Sequence, residues 1–287
     1  MKHIIKHLTR YRYSQPVNYS IQVLRLTPRQ DAHQRVLKWH VDAPGEMEQH
    51  LDAYGNLSHT LTLNRPHDEI SLQVTGQIDI QPLNDGLLWG EDNRLPIEAF
   101  CVPTALTQPD ETIRAFCADA MPRGMRSPGD ALALAGAIFD HVDYVPGTTV
   151  VTTPATEVLA QGRGVCQDHS HLFLACAHSL GVPARYVSGY LYTTSEHAAS
   201  HAWVDVWMEG AGWISIDVTN RQFVSDCHCR LAVARDYDSA SPVRGVRSGG
   251  GTESMTVSVQ VQALAAQTQT MSGQTQTMSG MSQTMGQ

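Results

Sequence analysis

The segment LFLACAHSL, residues 172–180, is apolar almost all the way round a helix. A helix without a polar face is stable only when other elements cover it, so this segment must lie at the centre of its domain. The helix reads over residues 166–180, with Gly181 placed as its C′ residue and Pro183 beyond as a regular stop signal. Three strand-like runs follow, at 184–193, 201–208 and 213–219. Two helices precede it. Glu111–Ala120 starts after Asp110, a good N-cap, and 130–141 carries apolar residues at helical spacing before Tyr144-Val145-Pro146-Gly147 ends it. Helices followed by antiparallel strands indicate an α+β domain.

The N-terminal part is different. Runs at 21–26, 36–41, 57–63 and 70–80 are rich in Val, Ile, Leu and Thr, with turn residues at Gly55-Asn56 and Pro66-His67-Asp68. They predict an antiparallel β domain over residues 1–82. Pro82, Pro96, Pro103 and Pro109 mark 83–109 as a linker. The core is expected over 110–264, with 253–262 as its last strand, alternating Met255, Val257, Val259 and Val261. Beyond it QTQTMSG occurs at 267–273 and again at 274–280, so residues 265–287 read as a disordered Gln/Thr/Met/Ser tail.

The stretch GRGVCQDHSHLF puts Cys166 between a glycine-rich turn and the start of the central helix. The positive end of a helix dipole and a nearby imidazolium both favour a thiolate, and free N–H groups at a helix start can hold an oxyanion. Gly162 and Gly164 allow close approach and positive φ there. The alternative is an ordinary buried cysteine. A nucleophile needs a base. In SHAWVDVW, alternation places His201, Trp203, Asp205 and Trp207 on one face of a strand. A base needs an orienting group, and WISIDVTN offers Asp217 on the face of Trp213 and Ser215. The pair would meet across neighbouring strands if the register allowed; a tight turn at Gly210-Ala211 would misalign them, so a bulge or wider loop is expected. If they meet, the three groups form a thiol-protease triad.

GRGVCQDHSHLF, SHAWVDVW and WISIDVTN, in this order and spacing, resemble the transglutaminase-like superfamily. TRYRYSQPV, QVLRLTPR and DAYGNLSHTLTL near the start resemble the N-terminal β domain of its bacterial branch, and DYVPGTTVVTTPATEVLAQGRGVCQD and RDYDSASPVRGVRSGGGTESMTVSV agree with that branch. The resemblance implies a papain-like core in which the cysteine helix packs on an antiparallel sheet. It implies Cys166 as nucleophile, His201 as base and Asp217 as orienting acid. Asp168 and Asn220 match supporting positions, Trp203 adjoins the base, and Tyr144 would line the site. Two positions depart from the pattern: Val218 stands where a proline is usual, and His169 where an aromatic or apolar residue is expected. The implied chemistry is acyl transfer through a thioester. Water would resolve it in a cysteine peptidase or amidase, the favoured outcome; an amine would resolve it in a protein-glutamine transglutaminase. A non-catalytic binding scaffold is a further alternative, opposed by the presence of all three catalytic residue types.

Charge and motifs narrow the partners. The formal net charge of −8, with no basic region, gives no support for a nucleic-acid partner. The N-terminus lacks an apolar leader and no run reaches membrane-span length, so a cytoplasmic protein acting on a peptide or protein is expected, with its six cysteines reduced. Metal binding is the rival for the histidine-rich segments, with Cys227-His228-Cys229 the best candidate. His169 and His171 point different ways on a helix, and there is no CxxC or HExxH. No cofactor or metal is expected.

Overall fold

The computed structural model describes residues 1–90, 94–193, 200–264 and 283–284. In chain order its elements are β1 (Lys2–Leu24), β2 (Gln34–Asp42), β3 (Met47–Leu51), β4 (Leu57–Leu63), β5 (His67–Ile80), a 3₁₀ turn (Ile97–Cys101), α1 (Glu111–Ala120) and α2 (Pro128–His141). There follow β6 (Asp143–Tyr144), α3 (Ala155–Gln161), β7 (Arg163–Gly164), α4 (Cys166–Ser179), β8 (Ala184–Leu191), β9 (Ser200–Met208), β10 (Gly212–Asp217) and β11 (Gln222–Phe223). The described chain closes with β12 (His228–Ala234), α5 (Tyr237–Ala240), β13 (Val243–Gly249), β14 (Glu253–Leu264) and β15 (Gln283–Thr284). The fold is α+β, built on two antiparallel sheets.

The first sheet is organised by β1. Its N-terminal half lies between β5 and β14, and its C-terminal half between β4 and β13. The ladders shift register between Arg12 and Tyr19, around Pro16, which has no N–H to donate. The buried face of β1 carries His3, Ile5, His7, Thr9, Tyr11 and Tyr13. Residues 243–264 therefore belong to the first sheet: the assignment of 253–262 to the core is corrected, because β14 pairs with β1 and not with the second sheet. The expected disorder of 265–287 lies outside the described residues, except that Gln283–Thr284 pair with β14.

The second sheet has the order β11-β10-β9-β8-β12. One face packs against the helices. Ile113, Leu134, Ile138, Leu172, Phe173, Val204, Val206, Ile214 and Ile216 share one core there. As the sequence predicts, α4 is central, buried from Asp168 to Ala177. Asp110 caps α1 through Ile113 N–H, while Ser127, not foreseen, caps α2. The other face of the sheet meets the first sheet. Ile5, Ile78 and Ile80 pack with Tyr190, Cys229 and Leu231, and His7 Nδ1 is 2.7 Å from Tyr190 Oη. Gln34 clasps the backbone of Arg230, accepting from its N–H at 2.8 Å and donating to its carbonyl at 2.7 Å. Within the segment read as a linker, Leu88 and Phe100 lie on this sheet, Leu88 N–H bonded to Trp213 O and Phe100 edge-on to Trp213.

Three histidines in these interfaces set an acid limit on stability. Burial lowers His7, His33 and His171 from 6.5 to about 4. Between those values the unfolded chain binds protons that the folded chain refuses. The contribution of these three is fully present above pH 6.5 and is lost as pH falls toward 4, by about 1.4 kcal/mol per pH unit for each histidine. The carboxylates held low, Asp205 and Asp217, stay ionised across this window and do not offset it. Urea midpoints should fall steeply between pH 6.5 and 4.5; a flat profile there would contradict the buried neutral state.

Candidate active site

Cys166 is the first residue of α4, partly exposed at the end of a helix buried from Asp168 to Ala177. The turn before it is shaped by two glycines that act differently. Gly162 takes φ 63° to end α3, whereas Gly164 is needed for space: a Cβ there would stand 2.6 Å from that of Asp168. Asp168 Oδ2 accepts from the N–H of Val165, the helix N-cap, and from Thr149 Oγ1, each at 2.7 Å. Burial raises the Asp168 carboxyl, against these two bonds. Asp168 thus fixes the turn that presents Cys166. Asp168→Ala should cost about 1–2 kcal/mol, the range of a lost helix cap, and should slow modification of Cys166; a denaturation midpoint unchanged from wild type would contradict that role.

His201 is on β9 and Asp217 ends β10. The hairpin between them closes through Glu209–Ala211 with Gly210 at φ 78° and keeps a regular register, Ile216 opposite Val204 and Gly212 opposite Met208. The loop is therefore three residues long, the wider loop expected, one more than a two-residue turn at Gly210-Ala211, and it puts Asp217 on the face of His201. Asp217 is a diagonal neighbour of His201, and diagonal same-face positions, roughly 7–8 Å apart, are within reach of long side chains. His201 Nε2 donates to Asp217 Oδ2 at 2.8 Å. The Cys166 side chain lies close enough to His201 to favour its charged form. With Nε2 taken by the carboxylate, Nδ1 is the nitrogen left for sulfur.

The electrostatics follow from this order. Burial alone would lower His201, but the Asp217 charge and hydrogen bond, joined by Cys166, push it up to about 10. Burial would raise Asp217, but the charge and hydrogen bond of His201, with a hydrogen bond from His228, hold it well below the usual carboxylate range. Asn220 donates its side-chain amide to Oδ2 at 2.7 Å and its backbone N–H to Oδ1 at 3.1 Å. The residue that sequence reasoning missed is His228, whose Nε2 lies 2.9 Å from the same Oδ2. Its signal was the Cys227-His228-Cys229 tripeptide, which reads as a possible metal site.

His201, Asp217 and His228 do place three ligand-type atoms within 4.8 Å of one another. The donor chemistry does not suit a metal. A ligating imidazole gives one nitrogen to the metal and donates the other N–H. In His228, Nδ1 faces the Ser225 backbone N–H at 3.2 Å, so it is an acceptor, and the ring proton sits on Nε2 facing Asp217. The cluster is a hydrogen-bond network.

The bacterial transglutaminase-like N-terminal region matches residues 4–79, and the transglutaminase-like superfamily core matches 117–218. An uncharacterized protein of Mycobacterium leprae is 30% identical over 277 residues, covering 91% of this chain and 98% of the relative. The chain belongs to the transglutaminase-like superfamily. A protein-glutamine gamma-glutamyltransferase of Pseudomonas aeruginosa is 28% identical over 103 residues, which is 30% of this chain and 15% of that protein. The same fold occurs in a Cytophaga hutchinsonii protein described as a "putative cysteine protease", with TM-score 0.76 at 20% identity, covering 98% and 96% of the two chains.

Within this transglutaminase-like frame the remaining residues have identifiable places. His169, one of the two departures, is a satisfied buried histidine: Nε2 lies 3.0 Å from Val142 O and Nδ1 3.0 Å from Thr219 Oγ1, tying the cysteine helix to the turn after Asp217. Val218, the other, is buried in the helix-side core. Tyr144 lies half-exposed near His169, ring centroids 6.2 Å apart; burial, with the charge of Cys166 next, pushes its phenol up. Trp203 is fully buried beneath both imidazoles, 6.1 Å from His201 and 5.3 Å from His228 between ring centroids. It does not line the opening to Cys166.

Proposed function

We propose that the chain is a cysteine-dependent acyl-transfer enzyme that hydrolyses peptide or amide bonds. The observation that carries this is the continuous chain of contacts from Cys166 through His201 to Asp217. The Cys166 thiolate attacks the amide carbonyl and an S–C bond forms. The helix-start N–H groups face the developing oxyanion. As the C–N bond breaks, the His201 imidazolium gives its Nδ1 proton to the leaving amine. Water then attacks the thioester, giving a proton back to His201 and releasing the acid and the thiolate. Asp217 holds Nε2 throughout and keeps the imidazolium favourable. The description attached to the Cytophaga fold relative agrees with hydrolysis.

The second reading has an amine in place of water, giving transamidation; the local likeness to the Pseudomonas gamma-glutamyltransferase favours it. Both share the thioester, so products decide. A peptide mixture incubated with the protein, with and without a dansylated alkylamine, is read by mass spectrometry. New termini or deamidated side chains indicate hydrolysis, and amine-bearing peptides indicate transamidation. Absence of both products, and of any acyl adduct on Cys166, would overturn the enzymatic reading and leave the binding scaffold.

A further inference from the structure

We propose that His228 is a positioning residue of this site, a neutral second imidazole that sets which oxygen of Asp217 faces His201 and tempers its pull on that ring. The assignment rests on the triad reading above. In sheet order β12 is separated from β10 by two strands, β9 and β8. Yet His228, the first residue of β12, reaches Asp217 at the end of β10, so the curl of the sheet brings its two sides together over Trp203. Gly189 makes room for this: a Cβ there would stand 2.4 Å from the Trp203 ring and 2.2 Å from the Cys229 carbonyl oxygen.

The geometry carries the role. Asp217 and His228 are fully buried, and Oδ2 receives Nε2 of His201 at 2.8 Å, Nε2 of His228 at 2.9 Å and Nδ2 of Asn220 at 2.7 Å. The His228 tautomer is fixed from behind. Ser225 presents its backbone N–H to Nδ1 at 3.2 Å, with its hydroxyl oxygen 3.4 Å away. A bare Nδ1 obliges Nε2 to carry the proton and to donate it. His228 therefore serves Asp217 as a fixed neutral donor. It pins the carboxylate rotamer, and it draws on the same lone-pair density that His201 uses. Without it, Asn220 alone holds the carboxylate against rotation, and the charge facing His201 is less dispersed.

The test compares wild type with His228→Ala and His228→Gln, since the glutamine Nε2 can restore a donor near the lost one. The readouts are the rate of Cys166 alkylation by iodoacetamide, mapped by mass spectrometry, and the titration of His201 followed by ¹⁵N NMR. His228→Ala is expected to slow alkylation about ten- to hundredfold, the worth of one hydrogen bond to a charged group, and to move the His201 titration upward. His228→Gln is expected to recover most of both. A folded His228→Ala with wild-type rate and titration overturns the proposal. So does a glutamine variant as impaired as alanine, which would make the ring a packing element only. Should the alanine variant not fold, wild type itself decides through the His228 ring at pH 7: ¹⁵N shifts of an Nε2–H tautomer support the assignment, and an Nδ1–H tautomer overturns it. The two readings fail separately. A wild-type Cys166 no more reactive than the other cysteines fails the triad, whereas a reactive Cys166 indifferent to His228 fails this inference alone.

Discussion

Asp217→Asn is expected to slow acylation of Cys166 by an activated ester on the order of 10³–10⁴-fold, the scale on which a catalytic triad loses its acid. The carboxylate accepts at both oxygens: three donors reach Oδ2 and the Asn220 backbone N–H reaches Oδ1. An asparagine has one acceptor and brings two N–H donors of its own. If its oxygen faces His201, its amide group meets the Asn220 N–H. If it turns the other way, it confronts His201 with a donor and the imidazole takes the wrong tautomer. The lost charge also removes what holds His201 near 10, so its titration should move down. An acylation rate within tenfold of wild type, in a folded variant, would contradict the place given to Asp217.

The largest expected loss of stability comes from Asp205→Ala. Asp205 is buried between two arginines: Arg230 makes a two-pronged bond to Oδ1 and Oδ2 at 2.9 and 2.7 Å, and Arg185 Nε donates to Oδ2 at 2.7 Å. Burial would raise this carboxyl, yet the Arg230 and Arg185 charges hold it far below its ordinary value. Arg185 also stacks on Trp213 at 4.2 Å. Removing the carboxylate leaves two guanidinium groups buried without their shared counter-charge, which costs about 3–5 kcal/mol. Because Gln34 ties the Arg230 backbone to the first sheet, the loss should appear in one transition of both sheets. A denaturant midpoint corresponding to a loss under about 1 kcal/mol would contradict this.

Local signals in the sequence were legible where they did not depend on long-range shape. The apolar helix with its Gly181 stop, the Asp110 cap and the strands carrying His201 and Asp217 all follow from periodicity and end chemistry. Only residues 21–24 of β1 are legible as strand, because its earlier buried positions hold polar residues: His3 and His7 meet Asp226 and Tyr190 far along the chain, and Thr9 bonds His7. β12 was missed because HCRLAVA is buried on both faces and shows no alternation. The three-residue loop Glu209–Ala211 supplies the wider connection that the pair needs, and the side chains span the remaining diagonal. His228 was out of reach for a deeper reason: its contact with Asp217 depends on the curl of the whole sheet, which no local pattern encodes.

The most direct measurement is competitive alkylation of the native protein with limiting iodoacetamide, mapped by mass spectrometry beside His201→Ala. Cys101 and Cys227 are internal controls. They are partly exposed like Cys166, but burial pushes both thiols up. The Cys166–His201–Asp217 account predicts that Cys166 is modified first and that His201→Ala removes its advantage over Cys101 and Cys227. Modification of Cys166 no faster than those two, or at a rate indifferent to His201, would contradict it.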